Sequence, residues 1–462
     1  MILSDQSRDT IFAPATAPGR AGVAVLRISG PRAGGALEAL AGRLPSPRRA
    51  TLADLRHPAS GERLDQALAL WFPAPASFTG EDVAELQIHG GPAILAALLE
   101  ALGGLEGLRL ATPGEFTRRA FDKGKLDLTQ VEGLADLLAA ETEAQRRAAL
   151  RQLDGALGEA CRGWSKRVSE ALAFLEASID FIDDELPPDV IARMRVKAAG
   201  VGAEIAAALA QAEHGERLRL GWRVAILGAP NAGKSTLLNA LTQRRAAIVS
   251  DRPGTTRDAI EAAVEIDGLP VTLIDTAGLR ETEDEIEREG VTRARELAAG
   301  ADLRIFLLAP DAPPPENVFN LFLNGDLVLA NKADLGPLPP LGDVSRETIP
   351  PPLPVSLRDP AGAVQVAALL KARILAGGAD PSAALLTRAR HKAALSLAAE
   401  ALARFDDLAA QSEADDAAGL IAYPELAAEE LRAALAALGE VTGRVGVEAL
   451  LDIVFSEFCL GK

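Results

Sequence analysis

The chain has 462 residues, of which 48% are hydrophobic, and it carries a net charge of −17. This length predicts several domains with cores of ordinary size, and the acidic balance argues against bulk electrostatic attraction to nucleic acid or to an anionic membrane. No apolar run approaches the roughly 18 residues of a membrane span, the N-terminus lacks the pattern of a secretion signal, and two distant cysteines form neither a disulfide framework nor a metal cluster. We therefore expect a cytoplasmic protein without a membrane segment.

Residues 1–122 have the pattern of an α+β domain. Apolar segments rich in β-forming residues lie at 22–29, 67–72 and 84–90, with Gly and Pro between them. A helical run at 92–102 follows the third of these segments.

A helical region begins at residue 123 and continues to 217. Apolar residues recur there at helical spacing, as at Val168, Leu172 and Leu175. The same Ala- and Leu-rich composition recurs at 379–462, so helices are expected there too.

The stretch between the two helical parts, 218–378, alternates short apolar runs with helices, as buried parallel sheets do. The simplest arrangement is one discontinuous all-α helical domain into which an α/β domain is inserted. A Pro-rich stretch at 336–354 is expected to form an irregular surface loop within the insertion.

The string GAPNAGKS at 228–235 matches the phosphate-binding pattern G-x-x-x-x-G-K-S/T, and it stands between a predicted strand and a predicted helix. Glycines let backbone N–H groups curl around phosphate oxygens, and the helix N-terminus adds a favourable dipole. We expect Lys234 to neutralise charge on the β- and γ-phosphates and Ser235 to bind Mg²⁺.

Further motifs follow in the order found in GTPases. DRPGTTRD (251–258) has the threonines of a switch loop, and DTAG (275–278) offers a carboxylate and a glycine N–H to the metal and the γ-phosphate. NKAD (331–334) offers Asn331 to the base, and its Asp334 carboxylate can accept hydrogen bonds from N1–H and N2–H₂ of guanine. Adenine lacks this donor pair. The motifs together predict a Ras-like P-loop GTPase domain.

The hydrolytic machinery departs from the Ras pattern. The position after the DTAG glycine, which in Ras holds the glutamine that orients the attacking water, is Leu279. The acidic stretch 281–289 offers carboxylates, although its charge pattern alone favours a solvated helix start.

With their flanks, these motifs resemble the MnmE (TrmE) family of tRNA-modification GTPases, over essentially the whole chain. The quoted similarity lies in PGRAGVAVLRISG, SFTGEDVAELQIHGGP, TPGEFTRRAFDKGKLDLTQVEGLADLL, DRPGTTRD, DTAGLR and the C-terminal FCLGK. The resemblance implies a tetrahydrofolate-binding and dimerisation domain at 1–122, a helical domain in two parts at 123–217 and 379–462, and a GTPase domain at 218–378.

The resemblance also implies an activity and partners. The family forms homodimers and works with an FAD-dependent partner of the MnmG (GidA) family in a heterotetramer or larger complex. Together they modify the wobble uridine of certain tRNAs at C5, using a one-carbon unit from 5-formyl- or methylene-tetrahydrofolate. GTP hydrolysis requires Mg²⁺ and is activated by K⁺.

The nucleotide and ion contacts carry over residue by residue. K⁺ would be bound by Asn231, Ser250, Arg252 and Thr255, and it would supply the charge stabilisation that an arginine finger gives elsewhere. Mg²⁺ would be bound by Ser235 and Thr256. Catalysis is assigned to Glu287, which would orient or activate water, with Lys234, Asp275 and Gly278. GTP would be contacted by Asn231, Ala232, Gly233, Lys234, Ser235, Thr236, Ser250, Thr255, Thr256, Asp275, Thr276, Ala277, Gly278, Asn331, Lys332, Asp334, Ser356, Leu357 and Arg358.

The folate site implied by the resemblance is Arg27, Glu85, Lys125 and Lys462, although Arg27 and Glu85 also fit a simple cross-strand pair. Cys459, close to the C-terminus, is either an activated redox or nucleophilic thiol or a small apolar side chain at a helix end. His89, beside Gly90 and Gly91, is a further candidate for contact in this region.

Two departures from the family pattern stand in the insertion. Ser356-Leu357-Arg358 replaces the usual Ser-Ala-Lys or Ser-Ala-Arg of the guanine loop, and Pro253 lies inside the K⁺ loop. Two other functions stay open: a ribosome-assembly GTPase without modification chemistry, and a helical scaffold with a vestigial nucleotide site. The folate-like N-terminal region disfavours the first, and the intact nucleotide motifs disfavour the second.

Overall fold

The computed structural model describes residues 9–180, 190–243, 260–275, 296–312, 318–338, 349–376, 383–415, 423–444, 448–456, 458 and 461–462. The chain divides into two compact units. One consists of Met1–Ala135, Gln152–Ser169 and Arg432–Lys462, and the other of Asp136–Arg151 and Glu170–Leu431. The two ends of the chain therefore share a unit, as expected when a helical region is interrupted by an insertion. The predicted domain boundaries stay predictions.

The N-terminal part is a mostly antiparallel sheet. Its strands are β1 (Thr10–Pro14), β2 (Ala21–Ser29), β3 (Thr51–Arg56), β4 (Arg63–Phe72), β5 (Val83–Gly90) and β6 (Leu108–Leu110), in the spatial order β3-β4-β5-β2-β1-β6. Helices α1 (Ala33–Ala41) and α2 (Pro92–Gly103) cover one face, where Leu26, Ile28 and Leu86 are fully buried. Because side chains alternate between the faces of a strand, Arg27 and Glu85 lie on the opposite face.

Helices occupy the chain between the N-terminal sheet and the insertion. They are α3 (Glu115–Asp122), α4 (Leu128–Ala139), α5 (Glu143–Leu153), α6 (Ala156–Asp180), α7 (Val190–Ala210) and α8 (Ala212–Leu220). No helix among the described residues is long and apolar enough to cross a membrane.

The insertion is a second sheet. Its strands are β7 (Trp222–Leu227), β8 (Ile260–Ile266), β9 (Leu269–Asp275), β10 (Leu303–Leu308), β11 (Leu327–Ala330) and β12 (Leu353–Pro354), in the order β12-β11-β10-β7-β9-β8. All described neighbours in this sheet are parallel except β8 and β9. Helices α9 (Lys234–Gln243) and α10 (Pro360–Ile374) pack on it, and the central strands are buried. The Pro-rich stretch is not wholly irregular, since Leu353 and Pro354 pair with β11.

The last helices are α11 (Ala389–Asp415), α12 (Pro424–Thr442) and α13 (Glu448–Ser456). At the end of the chain, Phe455 and Phe458 pack with Leu128 and Val131 of α4. Gly114 permits this approach, since a Cβ there would lie 2.3 Å from the Phe455 carbonyl oxygen. The predicted fold class is confirmed: an N-terminal α+β domain, a discontinuous helical domain and an inserted Ras-like α/β P-loop domain.

Gly215→Ala in α8 should destabilise the protein, because the new Cβ would lie 2.1 Å from the Leu386 carbonyl oxygen. Such overpacking costs about 1–3 kcal/mol, and we expect a lower melting temperature for the full chain in a calorimetric scan. The matched control is Gly200→Ala in α7, where a Cβ would meet nothing within 4 Å. It should be neutral or stabilising, by up to about 1 kcal/mol, through helix propensity. Equal melting temperatures for the two variants would contradict the close packing of α8.

Candidate functional site

The predicted nucleotide residues gather at the carboxyl ends of the central parallel strands, where α/β sheets bind ligands. The loop 228–233 follows β7, and α9 begins at Lys234. Strand register places Ile226 opposite Asp275 at the end of β9, and Leu308 opposite Ala330, the residue before Asn331. Motifs far apart in sequence therefore meet at one edge of the sheet.

Hydrogen bonds and close packing fix the shape of the phosphate loop. Lys234 is buried, and its ammonium donates to the carbonyl oxygens of Gly228 at 2.9 Å and Ala229 at 3.0 Å. Gly228 passes so close to β10 that a Cβ would lie 2.3 Å from the Leu307 carbonyl oxygen. Asn231 adopts a left-handed conformation with φ 64°, which Asn tolerates better than most residues. The loop therefore holds its lysine charge in a fixed position.

Asn331 joins three loops through its buried side chain. Its Nδ2 donates to the Ala232 carbonyl oxygen at 2.8 Å, and its Oδ1 accepts from the Leu357 N–H at 3.2 Å. A Cβ on Gly233 would lie 2.4 Å from Nδ2, so only glycine fits at that position. The sequence predicts that Asn331 meets the base, and the structure adds that its amide braces the phosphate loop against the guanine loop.

Charged side chains surround the expected base position. Lys332 Nζ lies 2.7 Å from Asp311, and this hydrogen bond lowers the pKa of the Asp311 carboxyl. Arg358 lies 3.4 Å from Asp334 Oδ2. Both members of this second pair are solvent-exposed, so the Asp334 carboxylate is open to a ligand.

The described donors fit a magnesium ion. Ser235 is exposed in the first turn of α9, and the Asp275 carboxylate is buried at the end of β9. Hydroxyl and carboxylate oxygens are the donors that Mg²⁺ prefers. Several predicted residues lie outside the described ranges: Ser250, Arg252, Thr255, Thr256, Thr276, Ala277, Gly278, Glu287 and Cys459.

The folate residues predicted on β2 and β5 meet the C-terminal tail. Arg27 Nε lies 2.8 Å from Glu85 Oε1, and an Arg27 η-nitrogen donates to the Gly461 carbonyl oxygen at 3.1 Å. Burial, and then the charge of Arg27, lower the pKa of the Lys462 ammonium, while Glu85 opposes the shift. Gly461 itself rests on β1, where a Cβ would lie 2.2 Å from the Pro14 carbonyl oxygen. Arg27, Glu85 and Lys462 therefore form one cluster.

Two aromatic rings that the sequence does not single out flank this cluster. The Arg27 guanidinium carbon lies 5.4 Å from the centroid of the Phe78 ring and 5.7 Å from that of Phe116. These distances are those of cation–π contacts. Both phenylalanines stand in motifs that carry the family resemblance, SFTGED and TPGEF, which is the signal that could have identified them.

Ion pairs tie these two motifs together beneath the cluster. Arg119, which is buried, lies 2.9 Å from Glu81 and 3.1 Å from Glu115. Although burial opposes ionisation, hydrogen bonds from Arg109 and the Thr112 N–H lower the pKa of Glu115 to about 2. Glu115 is therefore charged at neutral pH and holds the start of α3 in place.

Lys125 and His89 have partners outside the cluster. Lys125 Nζ donates to the Pro75 carbonyl oxygen at 3.2 Å and runs along Gly80, near the loop that carries Phe78. His89 Nδ1 lies 2.7 Å from Asp65 Oδ1, and the imidazole is 68% exposed. A direct role for His89 in ligand binding stays a prediction.

Comparison with known proteins covers both ends and the middle of the chain. A family model described as the MnmE helical domain matches residues 128–459, and one described as the GTP-binding protein TrmE N-terminus matches residues 10–125. The tRNA modification GTPase MnmE of Parvibaculum lavamentivorans is 52% identical over 455 residues, covering 98% of this chain and 100% of that protein. Its counterpart in Phenylobacterium zucineum is 51% identical over 463 residues, with coverage of 98% and 100%.

Among solved structures, a crystal structure of Era in complex with MgGDPNP and part of 16S ribosomal RNA aligns with 33% of this chain and 55% of its own. It is 29% identical, and its TM-score of 0.26 is too low to support an argument. The helical-domain model spans more than half of the chain, and the curated relatives are about half identical along nearly all of it. The chain therefore belongs to the MnmE (TrmE) family of tRNA modification GTPases.

Proposed function

We propose that this chain is a K⁺-activated, Mg²⁺-dependent GTP hydrolase that modifies the wobble uridine of certain tRNAs at C5. It does so with an FAD-dependent partner of the MnmG type and a tetrahydrofolate one-carbon unit. The observation that carries the proposal is the convergence of Lys234, Asp275 and Asn331 at one sheet edge, in a chain half identical to tRNA modification GTPases.

The residues of the phosphate loop supply preorganised charge. Two carbonyl oxygens hold the Lys234 ammonium in the loop, where it would face entering phosphate oxygens. The Asp334 carboxylate accepts the N1–H and N2–H₂ donors of guanine and so selects GTP. Ser235 and Thr256 would hold Mg²⁺, which would supply positive charge beside the phosphates.

Water and K⁺ complete the proposed hydrolysis. Leu279 cannot orient water, so Glu287 takes that role. Asn231, Ser250, Arg252 and Thr255 would hold K⁺, which would supply the positive charge that an arginine finger gives elsewhere. Asn231 is exposed at the surface of the phosphate loop, which supports its assignment as a ligand.

The cluster around Arg27 supports the folate proposal. A guanidinium, a carboxylate and an ammonium next to two phenylalanine rings suit a flat heteroaromatic ligand with hydrogen-bond donors, acceptors and acidic groups. Arg27, Glu85 and Lys462 would bind tetrahydrofolate, with Lys125 at the edge of the site. Cys459 stays assigned to a redox or nucleophilic role or to packing.

The proposal includes an assembly and a location. We propose a cytoplasmic homodimer, formed through the N-terminal domain, whose GTPase domains associate when GTP and K⁺ are bound. The basis of this part is membership of the family.

GTP turnover should be fast in K⁺ and slow in Na⁺ at matched ionic strength, and it should rise with protein concentration. The K⁺ stimulation should fall about tenfold or more in Asn231→Gly, because a donor oxygen is lost near developing charge. Glycine tolerates the positive φ of 64° at this position, so the loop keeps its shape. Equal rates in the two salts would remove the proposed role of Asn231 and leave a GTPase of another kind.

Asn331→Ala should weaken GDP binding by about tenfold to a hundredfold, the effect of leaving buried polar partners unsatisfied at a cost of about 1–3 kcal/mol. Titration with a fluorescent GDP analogue measures the dissociation constant. Asn239→Ala on the exposed side of α9 is the matched control and should bind normally. Unchanged affinity in Asn331→Ala would show that the three loops do not need the bridging amide.

Glu85→Gln should weaken binding of 5-formyl-tetrahydrofolate by about tenfold or more, since hydrogen bonds to charged groups contribute about 1.5–3 kcal/mol. Isothermal titration calorimetry measures this, and GTP turnover serves as the internal control. Glu100→Gln, on the exposed side of α2, should behave as the unmodified chain. If Glu85→Gln lowered the melting temperature but left the folate affinity unchanged, Glu85 would be a structural partner of Arg27 and not a ligand contact.

A further inference from the structure

A tight turn follows strand β10 and packs on the phosphate loop. It spans residues 309–312, and the Ala312 N–H donates to the Ala309 carbonyl oxygen at 3.2 Å. A proline stands at the second position of the turn, where its fixed φ is favourable. Ala309 and Ala312 are buried in one small cluster with Ala229 and Ala232 of the phosphate loop. The turn therefore has a fixed position beside the loop expected to bind phosphate.

Asp311, the third residue of this turn, holds the ammonium of Lys332. Its two carboxylate oxygens lie 3.0 Å and 2.7 Å from Lys332 Nζ. The Asp311 side chain is 47% exposed, whereas that of Lys332 is only 24% exposed. Lysine commonly covers its methylene stem and keeps its ammonium at the surface. The ion pair therefore fixes the far end of a side chain that is mostly covered by its neighbours.

Lys332 connects the ends of two neighbouring strands. It follows β11, whose last residue Ala330 lies opposite Leu308 at the end of β10. Its backbone is left-handed, with φ 58° and ψ 37°, a conformation that residues other than glycine keep only where their surroundings fix it. The Asn331 N–H, which donates to the Leu308 carbonyl oxygen at 2.8 Å, fixes the backbone on one side. The Lys332 stem therefore runs from the NKAD motif to the turn that rests on the phosphate loop.

This stem lies among the residues assigned to the guanine base. Asn331, directly before it, is hydrogen-bonded to the Ala232 carbonyl oxygen of the phosphate loop and to the Leu357 N–H of the guanine loop. Asp334, two residues after it, carries the carboxylate assigned to the base edge. A methylene stem packs well against the flat face of a ring while its charged end stays paired. Lys332 is thus placed to form one wall of the base pocket.

A wall made by a free lysine would weaken binding, because a lysine side chain has several rotatable bonds. Ordering such a side chain when the ligand enters costs affinity. The ion pair with Asp311 restricts the stem in advance and so reduces this cost. Since the pair is partly exposed, its effect on a dissociation constant should not exceed about fivefold.

We propose that Asp311 is a positioning residue for guanine-nucleotide binding, which holds the Lys332 stem against one face of the base. The inference rests on the proposed function, because it requires a guanine nucleotide between the phosphate loop and the NKAD motif. It deepens that function by giving a role to a residue that lies outside the nucleotide motifs.

Dissociation constants of GDP and inosine diphosphate, measured by isothermal titration calorimetry on the full chain, test this role. Asp311→Asn keeps the size and polarity of the side chain and removes its charge. It should weaken binding of both nucleotides by the same factor, about threefold to fivefold, because the stem would contact the ring face that the two bases share. A changed ratio of the two constants would overturn the proposal, since Asp311 would then act on the base edge at Asp334.

Lys332→Met separates the ion pair from the turn, because methionine keeps an unbranched stem without the ammonium. In this background, Asp311→Asn should change GDP affinity by less than about 1.5-fold, since the interaction is already lost. An equally large effect with Lys332 and with Met at this position would overturn the proposal. Asp311 would then act through the shape of the turn and not through the lysine.

Asp267→Asn is the matched control. Asp267 lies in the turn between β8 and β9 and forms a similarly exposed ion pair, 3.6 Å long, with Lys371 of α10. Its substitution should leave both dissociation constants unchanged. If Asp311→Asn bound both nucleotides as the parent chain does, the inference would be wrong and the proposed function would stand. If the parent chain did not bind GDP, the proposed function would fail, and the inference with it.

Discussion

The buried carboxamide of Asn331 is the interaction on which the nucleotide site depends. A buried amide must satisfy both of its polar ends, and here each end is satisfied by a different loop. The phosphate loop, the NKAD motif and the guanine loop are therefore fixed relative to one another by one side chain. Because Gly233 has no side chain, the amide can approach the phosphate loop closely. Preorganisation of this kind lets the binding energy of GTP go into later steps rather than into assembly of the site.

The sequence predicts the strands that carry the longer apolar runs. β2, β4 and β5 fall on the expected segments, and the inserted sheet follows from its motifs, because a phosphate loop requires a strand before it and a helix after it. Strands β1, β3, β6 and β12 are not predicted. β1 has a buried apolar run of only three residues, Ile11 to Ala13, and ends at Pro14. β6 has three residues and β12 has two, which is too short for a recognisable pattern. β3 is an edge strand that exposes Leu52 and ends in Arg56, so its sequence lacks the regular apolar–polar alternation of a half-buried strand.

Contacts between residues that are far apart in the sequence cannot be predicted from its hydrophobic pattern or its motifs. The pairing of Arg27 with Glu85 follows from strand register, but Gly461 reaches Arg27 from 434 positions away. Phe78 and Phe116 flank Arg27 because ion pairs through Arg119 hold their two motifs together. Similarly, Asn331 is recognisable from its motif as a residue of the base site, whereas its bracing role appears only when the loops are in place.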